Sequence, residues 1–205
     1  MKSRNIFLLL TVVIVIIMVF YASTGNEGDP AYQEEILKER EDKDRFMRTS
    51  EESPVAQTKT EFKGLKYFPP DLQYRIMANL IPITDKKAVV LNTSDGKTQR
   101  YLEYAYAEFD LHDRKNKLLI LEIMDMGPFR GKLFLAFGDE TSAGETYGAG
   151  RYLDVQKVPG STTITLDFNK AYNPYCAYND TYSCPLPPTG NLLEIPVKAG
   201  EKAYH

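Results

Sequence analysis

Residues 74–81 read YRIMANLI and indicate the fold class of this 205-residue chain. Two sets of side chains alternate along the stretch, with Tyr74, Ile76, Ala78 and Leu80 in one set and Arg75, Met77, Asn79 and Ile81 in the other. A period of two places successive side chains on opposite faces of a strand. The stretch therefore predicts a β-strand.

Further strand signals follow at short intervals. The Asp95-Gly96 pair favours a tight hairpin turn. Residues 99–111 are long for one strand, so we expect a bulge or a bend within them. Pro196 places the last strand at an edge or a bulge, because proline cannot donate to a strand ladder. The predicted strands after the first are residues 88–91, 99–111, 117–123, 132–137, 151–155, 162–168 and 192–197.

The connections between these segments are short, and none has the length or the period of a helix. About eight or nine strands joined in this way predict an all-β domain, a single antiparallel meander that forms a barrel or a sandwich. This domain is expected to span residues 61–205, which is long enough to bury a sizeable core. In the segment 162–168 we expect Ile164, Leu166 and Phe168 to face that core.

An apolar segment opens the chain. Lys2 and Arg4 precede residues 6–21, which carry no charge and only Thr11 as a polar residue. The length of this run is intermediate between that of a signal-peptide core and that of a full membrane span, which is about 20 residues. We predict that residues 1–30 are an uncleaved signal anchor, a single transmembrane helix that leaves the C-terminal domain outside the cytoplasm. The alternative is cleavage, which would release a secreted or periplasmic protein.

A charged helix and a linker are predicted for residues 31–60. Acidic residues precede basic ones by four positions in an order that stabilises an exposed helix. Because its apolar stripe is thin, the helix is expected to lie along the surface of the domain or to act as a spacer from the membrane. The charged pairs are Glu34/Lys38, Glu39/Lys43, Glu41/Arg45 and Asp44/Arg48.

The composition excludes some classes of function. A net charge of −3 and a pI near 5.5 argue against a nucleic-acid partner, which requires a basic surface. The chain has only two histidines, and it lacks the HExxH, GxSxG and phosphate-loop motifs. No cofactor is therefore predicted, and whether the protein is an enzyme stays open.

The stretch from Gly144 to Cys184 is rich in glycine, tyrosine and asparagine, and it is the predicted site. Backbone N–H groups of its glycine turn, with Arg151 beside them, would suit an anion. Its tyrosine rings and amides would suit a sugar or another small polar ligand. The alternatives are a glycine-shaped hairpin and an ordered loop packed by its own side chains. The ligand-binding candidates are Glu145, Tyr147, Arg151, Asp167, Asn169, Tyr172 and Asn173.

The chain has two cysteines, Cys176 and Cys184, and both lie in this stretch. The predicted export signal implies an oxidising compartment, where a disulfide between them is the expected state. A zinc site is a lesser alternative, because it would need two further ligands in spacings that the sequence lacks. A catalytic thiol is the third alternative, and it would need a lowered pKa.

Three functional hypotheses follow. The first is a membrane-tethered binding module whose loops hold a small polar or anionic ligand. The second is a hydrolase or transferase that uses Glu145 or Asp167 as general base and Arg151 to stabilise an anion. The third is a structural envelope protein, which the absence of any concave pocket would favour.

Four motifs occur in order: GETYGAGRYLD, LDFNKAYNPYCAY, CPLPPTGN and AGEK. With them the chain resembles, over residues 31–202, a bacterial and archaeal family known as domain of unknown function 1684. The resemblance implies extent and order, since the family has no established activity. Tyr175 stands where the family pattern has a proline, and family members without an export signal weaken the argument for a disulfide. The matched positions include Glu145, Thr146, Tyr147, Gly148, Gly150, Arg151, Tyr152, Asp167, Phe168, Asn169, Tyr172, Asn173, Cys176 and Cys184.

Overall fold

The computed structural model describes residues 29–56, 58, 61–124, 127–156 and 158–205. These residues form a mainly-β fold, in which one α-helix precedes a single antiparallel sheet that curls into a half-barrel. None of the helices in this part of the chain combines the length and the apolar character that crossing a membrane requires. The signal anchor was predicted for residues 1–30, and residues 1–28 of it lie outside the described part of the chain.

The sheet contains seven strands in the order β6-β5-β4-β3-β1-β7, and β2 pairs with β3 beside this path. Every pairing is antiparallel. The predicted antiparallel architecture is confirmed, although the described residues form seven strands and not eight or nine. The strands are β1 (Arg75–Pro82), β2 (Ala88–Asn92), β3 (Thr98–Leu111), β4 (Arg114–Ile123), β5 (Leu133–Phe137), β6 (Arg151–Val155) and β7 (Thr163–Asp167).

The prediction of a strand at residues 192–197 is wrong. Leu192 forms only an isolated bridge with Gly138, and the chain then continues as an irregular extended segment. Pro196 has no N–H to donate, and the next amide, Val197 N, donates to the side chain of Asp139 at 3.1 Å. Hydrogen bonds to side chains and scattered backbone bonds, such as Leu193 N to Gly138 O at 2.9 Å, therefore replace a continuous strand ladder along this segment. We call it the C-terminal segment (residues 193–203).

The predicted irregularity in the long strand β3 is confirmed. Its register against β4 shifts between Glu103 and Ala105, as expected for a bulge that bends a long strand and increases its twist. The bend lets one sheet curl around the core. The turn into β4 uses His112 and Asp113, both at positive φ, at 54° and 57°.

The sheet buries apolar residues on both faces. The first face, inside the curl, packs Leu118, Leu135 and Leu153 against the C-terminal segment, and Ile164, Leu166 and Phe168 face this core as predicted. On the second face a smaller cluster packs under residues 174–185, which we call the cysteine loop. β4 and β5 contribute to both clusters, which explains why they read as continuous apolar runs and not as alternating ones.

The predicted charged helix is confirmed as α1 (Pro30–Thr49), and it lies on the domain. Asp29 caps its first turn by accepting from Ala31 N at 3.0 Å. Tyr32, Ile36 and Met47 are buried beneath the helix. Two of the predicted pairs form, Glu41–Arg45 at 3.5 Å and Asp44–Arg48 at 2.9 Å, whereas Glu39 and Lys43 instead reach the domain, at Lys170 and Glu201.

The docking of α1 can be tested with two neighbouring residues. Ile36 is 1% exposed and Leu37 is 55% exposed. We expect Ile36→Ala to lower the free energy of unfolding by about 2 kcal/mol, because it leaves a cavity under a helix that can partly adjust. Leu37→Ala is the matched control and should cost less than about 0.5 kcal/mol. Urea denaturation measures both, and equal losses would show that α1 does not dock in solution.

Candidate functional site

Arg151, the predicted anion-binding residue, lies in the interior. Its side chain is 1% exposed and pairs with Asp139 at 2.9 Å. Its remaining bonds go to main-chain carbonyls of the C-terminal segment: Val197 O at 2.8 Å, Ala199 O, and Glu201 O at 3.3 Å. The guanidinium thus satisfies backbone oxygens that have no strand partner. These bonds give Arg151 a structural task and leave it outside any cleft.

Asp167 and Asn169 form a second buried group, beneath α1. Asp167 accepts hydrogen bonds from the Tyr32 hydroxyl, at 2.8 and 3.0 Å, and from the backbone and side-chain nitrogens of Asn169. Asn169 in turn accepts from Asp71 N at 2.9 Å and donates to Asp71 O at 2.7 Å. These polar groups join the helix, the loop before β1 and the end of β7.

Asn173 belongs to a third group, around the buried carboxylate of Glu201. Glu201 accepts from Lys43 Nζ at 2.8 Å, from Asn173 Nδ2 at 3.0 Å and from the Tyr178 hydroxyl. Burial raises the pKa of Tyr178 well above its ordinary value, so this hydroxyl stays protonated and donates. The group ties α1 and the cysteine loop to the last residues of the chain.

The remaining candidates lie apart from these groups. Glu145 is half-exposed and pairs with Lys198 at 2.8 Å. The hydrogen bond from Lys198 is the main cause that lowers the pKa of Glu145. Tyr147 contacts Cys176, with its hydroxyl 3.7 Å from the sulfur. Tyr172 donates to Asp154 Oδ1 at 2.8 Å. The structure therefore distributes the seven candidates over several places, and it does not gather them into one pocket.

Cys176 and Cys184 are free thiols in this structure, so the predicted disulfide is not formed in it. They are neighbours nonetheless, because the backbone N–H of Cys176 donates to the sulfur of Cys184 at 3.1 Å. Within the described residues, no group of three or more His, Cys, Asp or Glu side chains is placed to hold a metal ion. A zinc ion bound by Cys176 and Cys184 would therefore need further ligands that the described residues do not place beside these two cysteines.

A groove of about 1150 Å³ crosses the second face of the sheet. The end of α1, strands β3, β5 and β6, and the cysteine loop all contribute to its lining. Of the seven ligand candidates only Tyr172 lines it, together with Cys184. We call it the aromatic groove, after its rings: Phe46, Tyr101, Phe129, Phe134, Tyr152, Tyr172, Tyr175 and Tyr182.

Four of these rings form a continuous row. Tyr101 stacks on Phe134 with 5.4 Å between the centroids, Phe134 meets Tyr152 edge to face at 4.7 Å, and Tyr152 meets Tyr172 in the same way at 5.9 Å. Such pairs fix ring orientation and add to burial. Burial raises the pKa of Tyr152, whose protonated hydroxyl donates to Pro185 O at 2.6 Å and joins the row to the cysteine loop.

The charged lining of the aromatic groove is mostly positive. Among the described residues that line it are the lysines Lys43, Lys132 and Lys170 and one carboxylate, Asp154. This local balance differs from the net charge of −3 for the whole chain. Lys132 Nζ lies 4.8 Å from the centroid of the Phe129 ring at the edge of the groove, a distance that suits a cation–π contact.

The groove residues Tyr101, Phe134 and Lys132 were not among the candidates predicted from the sequence. A signal was present, because residues 118–121 and 133–137 are continuous apolar runs, which indicate burial on both faces of a strand. Two buried apolar faces in a single sheet require a cover on each face, and a partial cover leaves a groove.

A family model and a solved structure that match the chain both describe proteins of unknown function. A family model described as protein of unknown function (DUF1684) matches residues 60–202. A solution NMR structure of an uncharacterised protein from gene locus rrnAC0354 of Haloarcula marismortui is 38% identical, with a TM-score of 0.64. The match covers 84% of this chain and 94% of that chain. No curated protein matches the chain.

Proposed function

The chain belongs to the protein family of unknown function DUF1684, and on that premise we propose that it is a binding module whose aromatic groove holds an amphiphilic anion. The ligand would have an elongated apolar body and one anionic end, such as a carboxylate or a sulfonate. The predicted N-terminal anchor would hold this domain at the outer side of a membrane. The observation that carries the proposal is the aromatic groove with its lysine-rich edge.

The apolar body of the ligand is inferred from the size and the lining of the groove. Small-molecule sites in proteins are usually concave, mainly apolar and about 300 to 1,000 Å³ in volume. The groove, at about 1150 Å³ with eight aromatic rings in its lining, lies just above that range. The rings of the row contact each other and Tyr152 donates a hydrogen bond to the cysteine loop, so these contacts would fix the shape of the site.

The anionic end is inferred from the lysines. Lys43 pairs with Glu201 and Lys170 pairs with Glu35 and Glu39, so each of these cations has a carboxylate partner. Lys132 lies instead over the ring of Phe129, at the exposed edge of the groove. It is therefore the cation best placed to meet an anionic group of a ligand whose body occupies the groove.

The alternative of a hydrolase or transferase built on Arg151 has less support. That chemistry needs Arg151 and a general base in a cleft that a substrate can enter. Arg151 is fully buried, its partners are Asp139 and backbone carbonyls, and Glu145 pairs at the surface with Lys198. The concave groove also argues against a purely structural envelope protein.

Binding can be measured with 1-anilinonaphthalene-8-sulfonate, a fluorescent apolar anion, on the full-length chain. We expect saturable one-to-one binding that dodecanoate displaces. Phe129→Ala and Lys132→Gln should each weaken binding about fivefold, close to 1 kcal/mol. Lys132→Gln should weaken dodecanoate binding but not that of the neutral dodecanol, because it removes only the charge that faces the anion.

Two matched variants control this experiment. Met77→Ala removes an exposed apolar side chain, and Lys117→Gln removes a lysine that lies over a ring, Tyr106, at 4.2 Å. Neither residue lines the aromatic groove. Unchanged affinity in both is expected. A loss equal to that of the groove variants, or an absence of saturable binding, would contradict the proposal.

A further inference from the structure

Cys176 and Cys184 are hydrogen-bonded neighbours that lie on separate short pieces of the cysteine loop. Cys176 lies in a 3-10 turn, Tyr175–Ala177, and its backbone N–H donates to Cys184 Sγ at 3.1 Å. A covalent bond between the sulfurs would therefore need only local movement within the cysteine loop.

Cys184 is held by the hairpin between β2 and β3. Its backbone N donates to Ser94 Oγ at 3.1 Å, and Ser94 N donates to the carbonyl of Cys184 at 2.8 Å. Cys184 is 7% exposed, whereas Cys176 is only partly buried. The more accessible sulfur is thus that of Cys176, and the sulfur behind it is fixed in place.

Hydrogen-bond donors surround the sulfur of Cys176. The Cys184 thiol contributes most to lowering the pKa of Cys176, to about 6, and the Ser94 and Tyr147 hydroxyls add to the effect. The hydroxyl proton of Ser94 has a second acceptor in Tyr182 O at 3.1 Å. Donating to Cys176 raises the pKa of Cys184, which stays a thiol. The site therefore places a thiolate beside a neutral thiol.

We propose that Cys176 and Cys184 form a peroxide-reactive dithiol, in which Cys176 is the nucleophile and Cys184 is the resolving thiol. The inference stands independently of what the aromatic groove binds. The substrate class is a hydroperoxide, which is small enough to reach a partly buried sulfur. The adjacent donor, Tyr147, has a pKa that burial raises to about 12, so its hydroxyl is protonated at neutral pH.

The reaction has two balanced steps. The Cys176 thiolate attacks one peroxide oxygen, an S–O bond forms as the O–O bond breaks, and the leaving oxygen takes a proton from Tyr147 or from water. The Cys184 sulfur then attacks the resulting sulfenic acid, an S–S bond forms, and the S–O bond breaks with release of water. In sum, two thiols and one hydroperoxide give a disulfide, water and an alcohol, or a second water from hydrogen peroxide.

The test follows thiol loss and intact mass of the reduced full-length chain after addition of hydrogen peroxide. At pH 7 we expect Cys176 to react about 2- to 30-fold faster than free cysteine. The upper figure is the ratio of thiolate fractions for pKa values of about 6 and 8.5, and the lower one allows for the weaker nucleophilicity of a thiolate with a lower pKa. The rate should level off above about pH 7 in the protein and keep rising to higher pH for free cysteine. A rate equal to that of free cysteine at pH 7 would overturn the proposal.

Variants separate the roles of the two sulfurs. Cys184→Ser keeps a hydroxyl that can donate to Cys176, and it should accumulate a sulfenic acid that dimedone traps at Cys176. Cys176→Ser should lose the fast reaction, and Tyr147→Phe should slow it. The wild-type chain should lose two hydrogens and form no dimedone adduct. Fast oxidation that persists in Cys176→Ser, or dimedone adducts on the wild type, would contradict the assignment. The oxidation rate and the dimedone readout on the wild type do not depend on whether a variant folds.

Discussion

Arg151→Leu is expected to lower the free energy of unfolding by about 3 to 5 kcal/mol, the usual cost of leaving one partner of a buried ion pair uncompensated. The change strands the Asp139 carboxylate, which lies within the protein, and it removes donors from the carbonyls of Val197 and Ala199. Urea denaturation measures the loss. Arg151→Lys should cost less but not be neutral, because an ammonium cannot reproduce the planar set of donors.

The surface pair Lys198–Glu145 provides the control for this prediction. Its side chains are 54% and 46% exposed, so Lys198→Ala should change stability by less than about 1 kcal/mol. A second readout is hydrogen exchange of the Val197 amide, which donates to Asp139 and should lose protection in Arg151→Leu. If Arg151→Leu is as stable as Lys198→Ala, the guanidinium does not hold the C-terminal segment.

Gly200→Ala is the second large effect, with an expected loss of at least about 3 kcal/mol from strained backbone and overpacking together. Gly200 has φ +73°, and a Cβ there would lie 2.6 Å from Ala171 O and 2.7 Å from Phe168 O. Since both contacts are backbone atoms, no side-chain rotation can relieve them. Thermal or urea unfolding of the variant measures the loss.

Gly160→Ala separates the two causes. Gly160 has nearly the same φ, +75°, but a Cβ there would meet nothing within 4 Å. It should cost only the conformational term of about 1 to 2 kcal/mol. The difference between the two variants then measures the close approach of residues 168–171 to the last residues of the chain, and equal losses would contradict that packing.

The sequence predicted the strands well, because period-two patterns and turn residues are local signals. β6 was predicted with its observed bounds, and β1, β2, β3, β5 and β7 to within one residue at each end, whereas β4 begins three residues before its predicted start. The exception, residues 192–197, has a strand-like pattern, but its hydrogen bonds are divided between scattered backbone groups and distant side chains. At Val197 the partners are the side chains of Asp139 and Arg151, and no local pattern predicts such partners.

The candidate site was less predictable for a related reason. Arg151 begins strand β6, whereas Asn169 and Asn173 lie in the irregular chain after β7. Polar residues at the ends of strands and in loops are how ligand-binding residues look in a sequence. In this fold these three residues satisfy buried backbone groups and carboxylates where irregular segments cross. Glu201 has the same kind of task, and the AGEK motif that contains it was noted only as part of the family resemblance. Burial decides between the two uses of such residues, and burial is a tertiary property.

The contact between α1 and the end of the chain has a consequence for folding during synthesis. Lys43 pairs with Glu201, and Tyr67 forms an isolated bridge with Glu201, so both residues contact a residue more than 130 positions further along the chain. Contacts so distant in sequence form slowly, since long loops must close first. We expect this domain of the nascent chain to stay incompletely folded until Glu201 and its neighbours have left the ribosome. Until then the apolar faces of the sheet would lack part of their cover and would need protection from aggregation.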